Sequence, residues 1–113
     1  MPKKTLDPLP SAAFQILLAL IDGDLHGYGI MRAVEDQTSG RVRLGPGTLY
    51  SSLQTLRDAG AIEEVESEAG NTERRRHYRL NATGRRLVRS ETERLEELLR
   101  IARAKKITEG RYA

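Results

Sequence analysis

The chain has 113 residues, with 19 Lys plus Arg, 16 Asp plus Glu and a formal net charge of +3. That length makes one domain, and an aromatic share of 4% without Trp leaves a small aliphatic core under a charged surface. Disulfides, thiolate nucleophiles and sulfur-ligated zinc are excluded because there is no Cys.

His26 and His77 fall in separate segments, so no metal frame or cofactor is expected. Lys3 and Lys4 ahead of the apolar stretch Ala12 to Ile21 have the outline of a signal peptide. Pro8 and Pro10 intervene, however, and no small-residue cleavage site follows. The stretch is also far short of the roughly 20 residues that span a bilayer. A buried helix in a cytoplasmic protein without a membrane partner is the expectation.

Residues 1–10 carry three prolines and two lysines and read as an extended arm. Ser11 can cap a first helix, with Phe14, Leu17, Leu18 and Ile21 on one apolar face and Gly23 as a left-handed stop. Leu25-His26-Gly27-Tyr28-Gly29 opens a second helix, whose inner face is Ile30, Ala33 and Val34 and whose end is Ser39-Gly40. Arg41 to Leu44 is either a very short strand or an extended linker.

Gly45-Pro46-Gly47-Thr48 begins a third helix, where proline costs nothing because the first helical N–H has no partner anyway. Leu49, Leu53 and Leu56 form its buried stripe, Tyr50, Ser51, Gln54 and Asp58 face away, and Gly60 ends it. Ile62 to Glu66 and Arg76 to Leu80 read as the two strands of a hairpin, with Tyr78 and Leu80 on one face. Asn81 can cap a last helix running to about Lys106. Val88, Thr92, Leu95, Leu99 and Ala102 repeat along it at heptad steps, widened by Leu87, Leu98 and Ile101. At 1.5 Å per residue that helix is about 37 Å long, more than the small domain can cover, and a second copy is the simplest partner for the excess.

Short helices, a hairpin and a long helix make a mainly α fold with a small β-hairpin. Their order is that of a winged helix-turn-helix with a dimerisation helix appended. The expected division is an arm (1–10), a DNA-binding winged domain (11–80), a dimerisation helix (81–106) and a frayed tail (107–113). In such a module the third helix enters the major groove. Thr48, Tyr50, Ser51 and Gln54 suit it: hydroxyls and amides reach phosphates and base edges, and Gln can pair with adenine. Charge follows the same division. Residues 1–40 hold three basic and five acidic side chains, whereas residues 41–89 hold ten basic and six acidic. Arg74, Arg75 and Arg76, with Arg79, are the densest cluster, and arginine forks match phosphate geometry.

Leu25 to Ile30, Gly45 to Tyr50, Leu53, Leu56, Gly60, Arg74 to Leu80 and Gly84 together resemble the PadR family of transcriptional regulators. The likeness runs from about Ser11 to Ala104 and points to the short subfamily with a single C-terminal helix. The resemblance implies a homodimer on a pseudo-palindromic operator, usually as a repressor of transcription. It also implies double-stranded DNA contacts from Gly47, Thr48, Tyr50 and Ser51 and, at the wing, from Arg75 and Arg76. Tyr28 either touches the DNA backbone, locks the second helix against the third, or is a buried structural residue. The dimer seam would hold Val88, Thr92, Leu95, Leu98, Leu99 and Ala102, and two units would read half-sites about 34–36 Å apart.

Two departures stand out. Glu63, Glu64, Glu66, Glu68 and Glu73 precede the wing arginines, and carboxylates beside phosphates would hold the wing tip off DNA or tilt it. Some small relatives stack flat aromatic drugs between tryptophans, which this chain lacks. Two other readings stay open. One is a sensor whose unknown small-molecule effector sits in a dimer crevice lined by Leu87, Leu95, Leu98 and the first helix. The other is a protein-interaction adaptor that no longer binds DNA. No nucleophile motif, phosphate loop or metal frame indicates an enzyme.

Overall fold

The structure, a computed structural model, describes residues 6, 8–66 and 76–105. Helices α1 (Ser11–Ala19), α2 (Gly27–Gln37) and α3 (Pro46–Asp58) are followed by strands β2 (Ile62–Glu66) and β3 (Arg76–Leu80) and by helix α4 (Ala82–Ala104). A two-residue strand, β1 (Leu25–His26), precedes α2. The sheet is antiparallel with β3 in the middle, in the order β1-β3-β2. Leu25 pairs with Tyr78 and His26 with His77 on one side, and Glu64 lies opposite Tyr78 on the other. The sequence shows the hairpin, because its two strands alternate locally. It hides β1, whose two residues become a strand only by meeting β3 some 50 positions away.

Helix α1 packs against α2, α3 and α4. The core is aliphatic with one ring: Ile16, Leu17, Ile30, Val34, Leu49 and Leu56 are fully enclosed, and Tyr78 closes one side. Three sequence expectations for α1 need correction. Its buried face is Ala13, Ile16, Leu17 and Leu20, whereas Phe14 and Ile21 are only partly buried against the core. The helix is apolar nearly all round, so periodicity could not say which stripe faces in. Ser11 is the first helical residue rather than the cap: Pro10 holds the cap position, with no side-chain bond. The helix also ends at Leu20, ahead of Gly23. Arg41 to Leu44 is linker, not strand.

Two junctions hold α4 against the wing. Gly60, at φ +75°, ends α3 in the left-handed region that glycine enters without strain. Asn81 then reaches both ways across this corner. Its Oδ1 accepts from the Gly84 N–H at 2.9 Å, capping α4, and its Nδ2 donates to the Gly60 carbonyl at 2.9 Å. Gly84 lies so close to the Ala61 carbonyl that a Cβ there would come within 2.3 Å of the oxygen.

Leu9, ahead of α1, is buried, and its N–H donates to Oε1 of Glu91 at 3.4 Å. Glu91 is the one buried charged residue among those described, and Arg94 holds its carboxylate through Nε at 3.0 Å and Nη2 at 2.6 Å. The Arg94 guanidinium, opposed by the cost of burial and aided by the Leu9 N–H, keeps the Glu91 carboxyl below its ordinary range. A lowered carboxyl pKa favours the folded state above the unfolded value of about 4.3, and that contribution disappears as pH falls through the folded value. Acid unfolding followed by circular dichroism should therefore be shallower for Glu91→Gln than for the parent below about pH 4. Parallel curves would show that Glu91 titrates alike in both states.

Candidate functional site

The reading face is built on α3. Its leucines at 49, 53 and 56 are buried, which turns Gly47, Thr48, Tyr50, Ser51 and Gln54 outward, and all five are exposed. No residue of the first turn of α3 is acidic, so nothing there offsets the positive end of the helix dipole.

Helix α2 meets this face at its own start. The His26 side chain caps α2 by accepting the Gly29 N–H on Nδ1 at 3.0 Å. Its ring meets the His77 ring edge-on, with centroids 5.5 Å apart, so the α2 cap rests on the central strand. Gly27 leaves space for the Tyr50 ring: a Cβ there would lie 2.6 Å from the Tyr50 hydroxyl. This close approach ties the two glycine-rich sequence blocks together and explains why Gly27 has no side chain. Tyr28 is 59% exposed, which removes the buried structural reading. Its hydroxyl accepts from Arg32 Nη1 at 3.2 Å, and the Arg32 guanidinium sits 5.8 Å from its ring centre.

Between α3, the start of α2 and β3 runs an open cleft of about 660 Å³, whose lining includes Tyr28, Tyr50, Gln54, Arg57, Arg76 and Tyr78. Burial first, and the nearby Glu64 charge second, raise the Tyr78 hydroxyl above its ordinary value. Arg76 lies at the first residue of β3 with its side chain 75% exposed. Arg74 and Arg75 lie outside the described residues, as do Glu68 and Glu73.

Arg79 leaves the basic cluster. Its guanidinium grips Asp24 across the sheet edge, with Nη2 to Oδ2 at 2.9 Å. That hydrogen bond holds the Asp24 carboxyl below its ordinary value.

Two residues of this face escaped the sequence reading. Arg57 donates from Nη1 to Glu64 Oε1 and from Nη2 to Gln54 Oε1, the latter at 3.1 Å. Glu64 Oε2 accepts from Arg76 Nε at 2.9 Å. Gln54 in turn donates to Asp58 at 2.9 Å. The spacing of Gln54, Arg57 and Asp58 along one helix face was a readable signal for part of this network. The partnership with Glu64 needed the hairpin's position. The acidic wing is therefore not simply repulsive, because one of its carboxylates turns inward and binds two arginines.

On α4, Leu87 and Val88 pack against the core, whereas Leu95, Leu98, Leu99 and Ile101 are 38%, 48%, 44% and 37% exposed. Thr92 is exposed and Ala102 half-buried on the same stretch. Leu87 thus serves the core rather than standing beside Leu95 and Leu98 as a crevice lining. No helix among the described residues is long and apolar enough to cross a membrane.

Comparison with known proteins places this geometry. The model of the transcriptional regulator PadR-like family matches residues 16–90. Among curated proteins, the chain is 39% identical over 87 residues to an uncharacterised 37.1 kDa protein in transposon TN4556 of Streptomyces fradiae, covering 77% of this chain and 24% of that one. It is 36% identical over 55 residues to the transcriptional regulator YqjI of Escherichia coli, covering 49% of this chain and 27% of that one. The chain thus spans about a quarter of the length of these curated relatives.

Among solved structures, a transcriptional regulator from Clostridium thermocellum superposes with a TM-score of 0.73 at 28% identity, covering 86% of this chain and 92% of that one. Bacillus subtilis PadR, solved in complex with operator DNA, shares the fold with a TM-score of 0.63 at 22% identity, covering 72% of this chain and 46% of that one. The chain belongs to the PadR-like family, a family of transcriptional regulators and not of enzymes.

Proposed function

We propose that the chain is a sequence-specific DNA-binding repressor of transcription, acting in the cytoplasm as a homodimer on a pseudo-palindromic operator. The observation that carries this reading is the outward polar start of α3, from Gly47 to Gln54, beside the exposed Arg76. Tyr28 and Arg32 flank it at the start of α2 and supply a hydroxyl and a cation at phosphate height. Arg74 and Arg75 belong to the same basic run by sequence. Bacillus subtilis PadR, which has the same fold, was solved on operator DNA, and this supports the reading.

In this assignment residues 11–80 read DNA, and the helix of 81–106 pairs two copies along Val88, Thr92, Leu95, Leu98, Leu99 and Ala102. Residues 1–10 lead into the reading domain, and 107–113 trail the pairing helix. Pairing would cover the exposed leucines of α4 and set the spacing of the two α3 helices.

The direct test is selection of bound duplexes from a random DNA pool, which should enrich an inverted repeat. Recovery of no sequence above background would overturn the reading. With the enriched duplex in hand, Ser51→Ala should lower discrimination at one base position, with about 1–3 kcal/mol at stake. Arg75→Ala with Arg76→Ala should instead weaken binding to every sequence and flatten the salt dependence by roughly one unit per lost phosphate contact. Fluorescence anisotropy at several salt concentrations separates the two patterns.

A further inference from the structure

We infer that Glu64 is a specificity-determining residue, which restrains Arg57 and Arg76 so that the reading face does not grip DNA phosphates indiscriminately. The inference rests on the DNA-binding reading above and adds a residue that no base or phosphate would touch.

One carboxylate engages two cations from different elements. Oε1 takes Arg57 of α3, and Oε2 takes Arg76 of β3 at 2.9 Å. The strand register explains why Glu64 does this and its neighbours do not. Ile62 faces the core, and Glu64, two residues on, shares that face opposite Tyr78, whereas Glu63 points to the other side opposite Arg79. The side chains of Glu64 and Arg57 are correspondingly only 28% and 34% exposed, against 75% for Arg76. With Gln54 on Arg57 and Asp58 on Gln54, the network spans from the outer face of α3 to the wing along the cleft.

Phosphate attraction is indifferent to sequence, and each phosphate that a cation neutralises adds about 0.9 to the salt slope. Two unpaired arginines here would strengthen binding to any duplex. Paired to Glu64, they carry a combined charge of +1 instead of +2 and are held in one place. A correct operator, on which α3 seats fully, brings phosphates close enough to compete for the mobile Arg76 guanidinium. A wrong duplex, held at a distance, does not.

The test compares the parent with Glu64→Gln and Glu63→Gln, which make the same charge change on the same strand. Each is titrated by anisotropy with the enriched duplex and a scrambled duplex across a salt series. Glu64→Gln should bind the scrambled duplex roughly threefold to tenfold tighter, with a slope steeper by about one to two units. The ratio of the two affinities should shrink, and Glu63→Gln should leave that ratio near the parent's. Adding Arg57→Gln to Glu64→Gln should reverse much of the gain on scrambled DNA.

Equal behaviour of the Glu64 and Glu63 variants, or loss of affinity for both duplexes in a folded Glu64→Gln, would overturn the inference while leaving DNA binding intact. A parent that binds neither duplex would overturn the DNA reading itself. Should Glu64→Gln fail to fold, Glu64→Asp, too short to reach both guanidinia, should shift the ratio the same way by less, and no shift would count against the proposal.

Discussion

Gly84→Ala should lower the melting temperature by roughly 8 °C, even though alanine is the better helix former. In an exposed helix the exchange would gain about 1 kcal/mol. Here the new Cβ would sit 2.3 Å from the Ala61 carbonyl oxygen and 2.5 Å from Leu80 Cδ1. Leu80 can rotate away, but Ala61 cannot, because its N–H is bound to the Leu56 carbonyl at 2.9 Å and its oxygen takes the Asn81 N–H at 3.2 Å. Forcing an extra carbon into such a site costs about 1–3 kcal/mol, and more when backbone must move. The net loss is about 2 kcal/mol, which a domain of this size registers at about 4 °C per kcal/mol. Circular dichroism melts check it, and an unchanged or raised melting temperature would mean that α4 slides freely on the wing.

The second large effect concerns pairing. Leu95→Lys with Leu99→Lys should sediment as a monomer at micromolar concentration and lose at least about 100-fold in affinity for a full operator. The two side chains are 38% and 44% exposed in the single chain, so the fold should tolerate the change. The loss of affinity follows from the loss of linkage: a dimer presents its second reading head at high effective concentration, and a monomer does not. Lysine is the informative substitute, because added positive charge by itself would strengthen DNA binding. A variant that remains dimeric would show that the seam lies elsewhere.

How much was legible in the sequence depended on whether a feature was local. Helix α3, with leucines at 49, 53 and 56, and the hairpin, with Tyr78 and Leu80 turned inward, were readable because period and burial agree over a few residues. Asn81 was readable as a cap because its partner, Gly84, is three residues away. Helix α1 misled because it is apolar on nearly every side, so only its neighbours decide that Ile16 and Leu20 go in. Arg79 was counted with the wing cations, but its partner Asp24 is 55 residues off.

The opening arithmetic was therefore correct in sum and incomplete in detail. A net charge of +3, concentrated in residues 41–89, is a property of the sequence alone, as are the small aliphatic core and the surplus length of the last helix. Composition and periodicity determine these because each needs only the order of residues along the chain. Which of the ten basic side chains in that block remain available is a tertiary matter. Folding sends Arg79 to Asp24 and sets Glu64 between Arg57 and Arg76. Ion pairs form between groups a few ångströms apart, and only the packed hairpin brings these groups that close.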